Sequence, residues 1–378
     1  MKGGEEKKYD VLCVGLALGN IVVHPFPEKF EGGDTMQVEE ITVMCGGDAF
    51  NQATVLSALG HKTALISKVA DDVTGNMVLD QMKARGVDTS LVALDKEIGT
   101  SSCIVMVYPG GQRRFCTFKG CLRNFGGKDI NFEAAKQAKI VSIGGLYSMP
   151  SFDREASIEL FRKAREGKTA TVLDTKYDAF HIGLAGIKNL LEYTDYFFPS
   201  YEEASYLSGL EKPEDIVHFF VDRGALHVGV KLGGRGCYLL TQGFEGLIPS
   251  FKSPVLDTTG AGDNFMAGLI HGLLNDWKLT DSVLYANAAG ARAVSRLGAT
   301  DEGEYIETIN HILMGVFTQY HCGHSRHSRY SISALMQSFI FFYLLRSSFI
   351  SVSYTHLDVY KRQAKSCLDY AVEVIDGL

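Results

Sequence analysis

Short apolar runs alternate with helix-period segments along most of this chain, and no other feature limits its possible folds as much. Val11–Gly15 is an apolar run ending in glycine, as a buried parallel strand would be, and a helix follows from about Ala49 to Leu59, stopped by Gly60. Thr63–Val69 reads as the next strand, and Asp71-Asp72 opens a second helix running to about Arg85. From Ile140 the alternation becomes regular. Strands at Ile140–Ile143, Thr171–Leu173, Tyr196–Phe198 and Val228–Lys231 are separated by helices at Arg154–Glu166, Leu184–Leu191, Glu202–Leu207 and Asp215–Arg223. A hairpin at Cys237–Leu247 and helices at Asn264–Asn275 and Ser282–Leu297 complete the series. Such alternation builds a mostly parallel sheet with helices on both faces, so the expected fold is α/β and doubly wound. Two stretches stand apart: Ile21–Val43, and the hairpin Ser102–Phe118 that turns at Pro109–Gln112. Together they predict a small β-sheet of their own, a lid.

A chain of 378 residues holds one large domain or two smaller ones, and 46% hydrophobic with 21% charged content is that of an ordinary globular protein. A net charge of -7 offers no basic surface for nucleic acid. The eight cysteines show no CxxC pair or metal-ligand spacing, so reduced thiols are the simpler reading. Met1–Asp10 is charged and lacks the apolar segment of a secretory leader. The expected location is the cytoplasm, with no membrane partner.

Two glycine strings carry chemistry. In the first, Asp257-Thr258-Thr259-Gly260-Ala261-Gly262-Asp263 leads into a helix whose Phe265, Met266, Leu269, Ile270 and Leu273 form one buried face. The first N–H groups of a helix have no intrahelical partner, and small residues there let a phosphate approach the positive end of the dipole. Asp263 would repel that phosphate, so its chemical use is to take a proton from an alcohol attacking it. In the second string, Gly46-Gly47-Asp48-Ala49-Phe50-Asn51, the glycines let a ligand lie against the backbone and the Asn51 amide offers a donor and an acceptor to vicinal hydroxyls. Asp48 reads equally well as the N-cap of the following helix.

The two strings, in this order, resemble the signatures of the ribokinase-like (PfkB-type) carbohydrate kinase family over about Tyr9–Met314. That resemblance implies an ATP- and Mg2+-dependent phosphotransferase acting on the primary hydroxyl of a sugar or sugar acid. A nucleoside kinase of the same fold and a silent sugar-binding regulator are the alternatives. The resemblance makes Asp263 the base and the amides of Gly260, Ala261 and Gly262 the anion hole. It puts Gly46, Gly47 and Asn51 on the sugar. Asn20 stands where many relatives carry an aspartate, and Asp48 is a candidate for the missing carboxylate. Asp174, ending its strand, faces the ligand edge if the topology holds, with Lys176 beside it able to touch a phosphate. On the nucleotide side the resemblance places Thr259, Lys231, Gly233 and Gly236, and Asn287 near adenine, although a buried structural asparagine competes. Glu203 matches the glutamate that holds hydrated magnesium; Ser200 replaces the usual asparagine, and Ser200 with Glu203 also reads as a capping box. Many relatives use K+ and dimerise through the lid, which makes a homodimer the expectation. Arg113 and Arg114, beside the lid turn, read better as solvated than as site residues.

Beyond Met314 the character changes, and 315–378 is expected to lie outside the family domain. His321, Cys322, His324 and His327 do not complete a metal site. The apolar run Met336–Ile350 is interrupted by Arg346 and is too short to span a bilayer. Ser351–Gln363 resembles a readthrough string of assembled metagenomic sequence, so much of this tail is expected not to be native. Ala364–Leu378 reads as helical.

Overall fold

A computed structural model of the chain describes residues 6–27, 35–109, 112–296, 298–300 and 305–320. The chain divides into two units, Met1–Val316 and Phe317–Leu378, and the architecture below is that of the first. The histidine cluster, the apolar run and the readthrough-like string lie outside the described residues, as does the expected last helix.

The strands are β1 (Tyr9–Gly15), β2 (Leu18–His24), β3 (Glu40–Gly46), β4 (Thr63–Ile66), β5 (Lys68–Ala70), β6 (Ala93–Asp95) and β7 (Ser102–Val107). They continue as β8 (Arg113–Phe118), β9 (Ala138–Leu146), β10 (Ala170–Thr175), β11 (Tyr196–Phe197), β12 (His227–Lys231), β13 (Cys237–Thr241) and β14 (Phe244–Ile248). The helices are α1 (Asp48–Ala58), α2 (Val73–Ala84), α3 (Glu155–Glu166), α4 (Lys188–Leu191) and α5 (Tyr201–Ser208). The rest are α6 (Pro213–Val221), α7 (Ala261–Leu274), α8 (Leu279–Val294) and α9 (Tyr305–Tyr320).

The large sheet has the order β14-β13-β12-β11-β10-β9-β1-β4. Pairing is parallel from β4 to β12, and β13 and β14 close the edge antiparallel. Because alternate side chains of a strand point to opposite faces, Leu12, Val14, Val141 and Ile143 join one core with Phe161 of α3 and Phe220 of α6. The intervening residues face α1 and α7; Phe198, just after β11, lies 6.0 Å from the ring of Phe265. Each fully buried Leu or Phe contributes on the order of 1.5–3 kcal/mol, so this double layer dominates the stability.

Strand order reverses between β1 and β9, and the carboxyl ends of strands at such a reversal open a ligand crevice. Gly47, at φ 108°, starts α1 there; a methyl on it would lie 2.5 Å from the carbonyl of Leu16, so only glycine lets α1 begin this close to β1. Between β9 and β10 the register slips from Leu173 to Thr175, leaving Asp174 outside the regular pairing at the same edge.

The second sheet, ordered β3-β2-β7-β8, is the lid. Its register puts Asn20 beside Cys103, and Cys103 beside Thr117, on one face. The other face carries Ile21 opposite both Val43 and Ile104. The expected strand Thr63–Val69 is split between β4, in the large sheet, and β5, which pairs with β6 in a two-stranded sheet. β3 runs past the expected Val43 to Gly46 because β2 pairs with it along its whole length, Leu18 opposite Gly46. The expected Leu184–Leu191 helix is instead a 3-10 turn, Gly183–Gly186, followed by the single turn of α4, since two glycines weaken an α-helix there.

Candidate active site

The signature loop and α7 place Asp263 in the first turn of the helix. Gly260, in the left-handed conformation at φ 73°, is the N-cap, and no side chain caps this end. The loop is held from below: Asn264 Nδ2 donates to the carbonyls of Gly260 and Ala299, both at 2.9 Å. Asp257 accepts the amides of Thr259 at 2.6 Å and Gly298 at 2.9 Å. The helix start is therefore ordered. The Ala261 amide is taken up by the Thr258 carbonyl at 3.3 Å, so of the expected anion-hole amides Ala261 is engaged, while those of Gly262 and Asp263 stay uncapped. Lys231 Nζ would lie 3.6 Å from a methyl on Gly262, in otherwise open space. Gly262→Val should fill that space, raising the KM for ATP at least tenfold in steady-state assays; unchanged ATP use would remove the anion hole from this helix end.

Asn51, on α1, reaches across to the same point. Its Nδ2 donates to Asp263 Oδ2 at 2.6 Å. Its Oδ1 is buried with no hydrogen-bond partner, although a buried amide oxygen ordinarily has one. A methyl on Gly46 would lie 2.5 Å from Asn20 Nδ2 and 3.8 Å from that orphaned oxygen. The Asn20 and Asn51 amides thus flank Gly46.

Two ion pairs frame this cluster. Lys176 Nζ meets Asp48 Oδ2 at 2.8 Å, and Lys231 Nζ meets Asp174 Oδ1 at 2.7 Å. Asp48 is not the N-cap of α1, a place taken by Gly47; it is the first helical residue, with its carboxylate turned to Lys176. Burial, then the charge of Asp48, pushes the Asp263 carboxyl up, while the Asn51 amide and Lys176 oppose the shift. Burial likewise pushes Asp174 up to about 7 against the pull of Lys231. Desolvation works against the charge on Lys231 and on the half-exposed Lys176, but Asp174 and Asp48 outweigh it and both stay above the ordinary lysine range.

Glu203 forms the expected capping box with Ser200, and its Oε2 also accepts the Thr175 hydroxyl at 3.0 Å. Its charge is felt by Asp174, Lys176 and Lys231, which places it in the same cluster. No group of three or more potential metal ligands exists among the described residues. A divalent ion here would rest on one or two carboxylates and on phosphate oxygens, a donor set that suits magnesium. Asn287 sits apart: its amide donates to the carbonyls of Ile248 at 3.1 Å and Pro249 at 3.2 Å, a structural use tying α8 to the end of β14. Gly233 and Gly236 form the β12–β13 turn, where a methyl on Gly236 would lie 2.1 Å from the Ile248 carbonyl. Arg114 is exposed, but Arg113 is not a solvated turn residue. Its guanidinium pairs with Asp257, and the sequence reading of it is corrected accordingly. The sequence alone gives Asp257 no role beyond its place at the head of the signature string, which is the available signal.

The site thus joins a buried carboxylate, Asp263, to a helix start with no side-chain cap and a lysine beside it. Residues 8–304 match the family described as pfkB family carbohydrate kinase, and the chain belongs to that family. It is similar to probable fructokinase-5 of Arabidopsis thaliana, 27% identical over 270 residues, covering 67% of this chain and 83% of that protein. The 2-dehydro-3-deoxygluconokinase of Bacillus subtilis is 28% identical over 287 residues, covering 72% and 87%. Among solved structures, Arabidopsis thaliana ribokinase complexed with ribose and ATP superposes with a TM-score of 0.70 at 23% identity, covering 80% of this chain and 98% of that one. The chain is a sugar kinase with the ribokinase-like fold. No helix among the described residues is long and apolar enough to cross a membrane.

Proposed function

We propose that this kinase transfers the γ-phosphoryl group of ATP to the primary hydroxyl of a sugar or sugar acid bound between the lid and the crevice, with Asp263 as base. The observation that carries this reading is the Asn51–Asp263 contact. One amide orients the carboxylate, and its orphaned Oδ1 at the same point suits a sugar hydroxyl donor. Asn20, Gly46 and Gly47 would bind the rest of the sugar. Asp263 takes the proton of the attacking hydroxyl as the new O–P bond forms and the bond to ADP breaks. The uncapped amides of Gly262 and Asp263 and the Lys231 ammonium stabilise charge on the phosphoryl oxygens. Glu203 would hold magnesium, which would supply charge neutralisation on the polyphosphate. The cytoplasm, where ATP is supplied, is the proposed location.

The test is ATP-dependent ADP release by the full chain with ribose, fructose, 2-dehydro-3-deoxygluconate, inositol and nucleosides. Turnover with a sugar or sugar acid supports the reading; turnover confined to nucleosides would overturn it.

We further infer a homodimer through the lid. The face turned from the crevice exposes Ile41, Val43 and Phe118 at 61%, 58% and 57%, with Ile21 and Ile104 between them. Such an apolar sheet face favours a self-complementary partner. Ile104→Lys should shift the protein to a monomer in analytical ultracentrifugation. A monomeric parent would remove the basis for this assignment.

A further inference from the structure

Arg113 begins β8, the edge strand of the lid, and by strand alternation lies on the same face as Thr117, whose neighbours lead to Asn20. Its guanidinium donates to Asp257 Oδ1, in the loop that opens α7. The two side chains are only 18% and 9% exposed, so the pair is shielded from solvent. Among the described residues it is the ion pair joining the lid sheet to the signature loop.

Asp257 makes this more than a local tie. One carboxylate holds the amides of Thr259 and Gly298, and the Leu256 and Asp257 amides bond the carbonyl of Val294 at 2.8 and 3.2 Å. Lid, signature loop and the segment after α8 thus meet at one side chain. Burial alone would penalise that carboxylate, but the two amides and Arg113 hold it below its ordinary range. If the lid edge lifts, Asp257, whose side chain is only 9% exposed, loses its cation. A shielded charge deprived of its partner is strongly destabilised, so a seated lid and an ordered anion-hole loop favour each other.

We propose that Arg113 is a positioning residue, a latch that couples seating of the lid over the sugar to the order of the loop that receives phosphate. This coupling rests on the kinase reading above, whereas the latch itself does not. Occupancy of the sugar side should then tighten nucleotide binding, and by linkage the reverse.

Two measurements test this on the full chain. In the unliganded protein, hydrogen exchange at the Thr259 and Gly298 amides should be at least tenfold faster in Arg113→Ala than in the parent, and intermediate in Arg113→Lys, which keeps the charge but loses the guanidinium fork. Parent-like exchange in a folded Arg113→Ala protein would overturn the latch, whatever the enzyme phosphorylates. The second measurement is the Kd of a non-hydrolysable ATP analogue with and without the sugar that supports turnover. The parent should bind the analogue at least fivefold more tightly with sugar present, and Arg113→Ala should bind it equally in both cases. Full coupling retained in the alanine variant would overturn the proposal. If no sugar supports turnover, the kinase reading has failed while the exchange measurement still decides the latch.

Discussion

Asp263→Asn should lower kcat by about 10²–10⁴-fold, the usual contribution of a positioned base, while sugar affinity changes little. The asparagine oxygen can still accept the Asn51 amide that now reaches Asp263 Oδ2 at 2.6 Å, so the sugar-side geometry is kept. The parent's own pH profile is the companion measurement. The base must be ionised to act, and its carboxyl is pushed up by burial and by Asp48. The ascending limb of kcat/KM should therefore lie well above the ordinary carboxylate range of about 4. A folded state that holds the proton more tightly than the unfolded chain is favoured at low pH and loses that advantage as pH rises through the raised value. The asparagine variant escapes the loss. Its Tm should exceed the parent's at pH 8 and match it near pH 4. Near-parental turnover in Asp263→Asn would end the base assignment, and an equal or lower Tm at pH 8 would show the carboxylate is not held at a cost.

The second large effect is expected at Lys231. Its ammonium is 2.7 Å from Asp174, with side chains 13% and 4% exposed, and it faces the open space at Gly262. Lys231→Met leaves Asp174 beside Glu203 with no cation, and removing one member of a buried pair costs roughly 3–5 kcal/mol. Asp174, already pushed up to about 7, can take a proton, so the lower figure is the expected one. Adding Asp174→Asn removes the stranded charge and should restore most of the stability in urea unfolding. It should not restore ATP use: loss of a charge-assisted contact to phosphate is worth about 1.5–3 kcal/mol, tenfold or more in KM. A double variant as unstable as the single one would mean that Lys231 supports the fold by some route other than this pair.

Much of the fold was legible. Short apolar runs and helix-period segments are local signals, and their order alone called for a parallel sheet with a separate lid. The Ser200–Glu203 capping box was equally local, since its two members are three residues apart. The failures were of another kind. Asp48 looked like a cap because aspartate beside glycine usually is one; its carboxylate was drawn away by Lys176, which no local pattern places nearby. Arg113 looked solvated because turn arginines usually are, and only the seating of the lid against the α7 loop shields it. Asn287 was no failure: the sequence left it open between adenine and a structural role, and its donation to the Ile248 and Pro249 carbonyls depends on how α8 packs.

By itself the sequence determined the class of the fold, the two glycine strings and the residue types the chemistry needs, because period, caps and turns act over a few residues. Tertiary structure alone decided which of those residues meet. The contacts that make the site join positions far apart in the chain, by 212 residues for Asn51 with Asp263, 144 for Arg113 with Asp257, 128 for Lys176 with Asp48 and 57 for Lys231 with Asp174. The reversal of strand order between β1 and β9 gathers them at one sheet edge, where burial raises the Asp263 carboxyl and leaves the Asn51 Oδ1 without a partner.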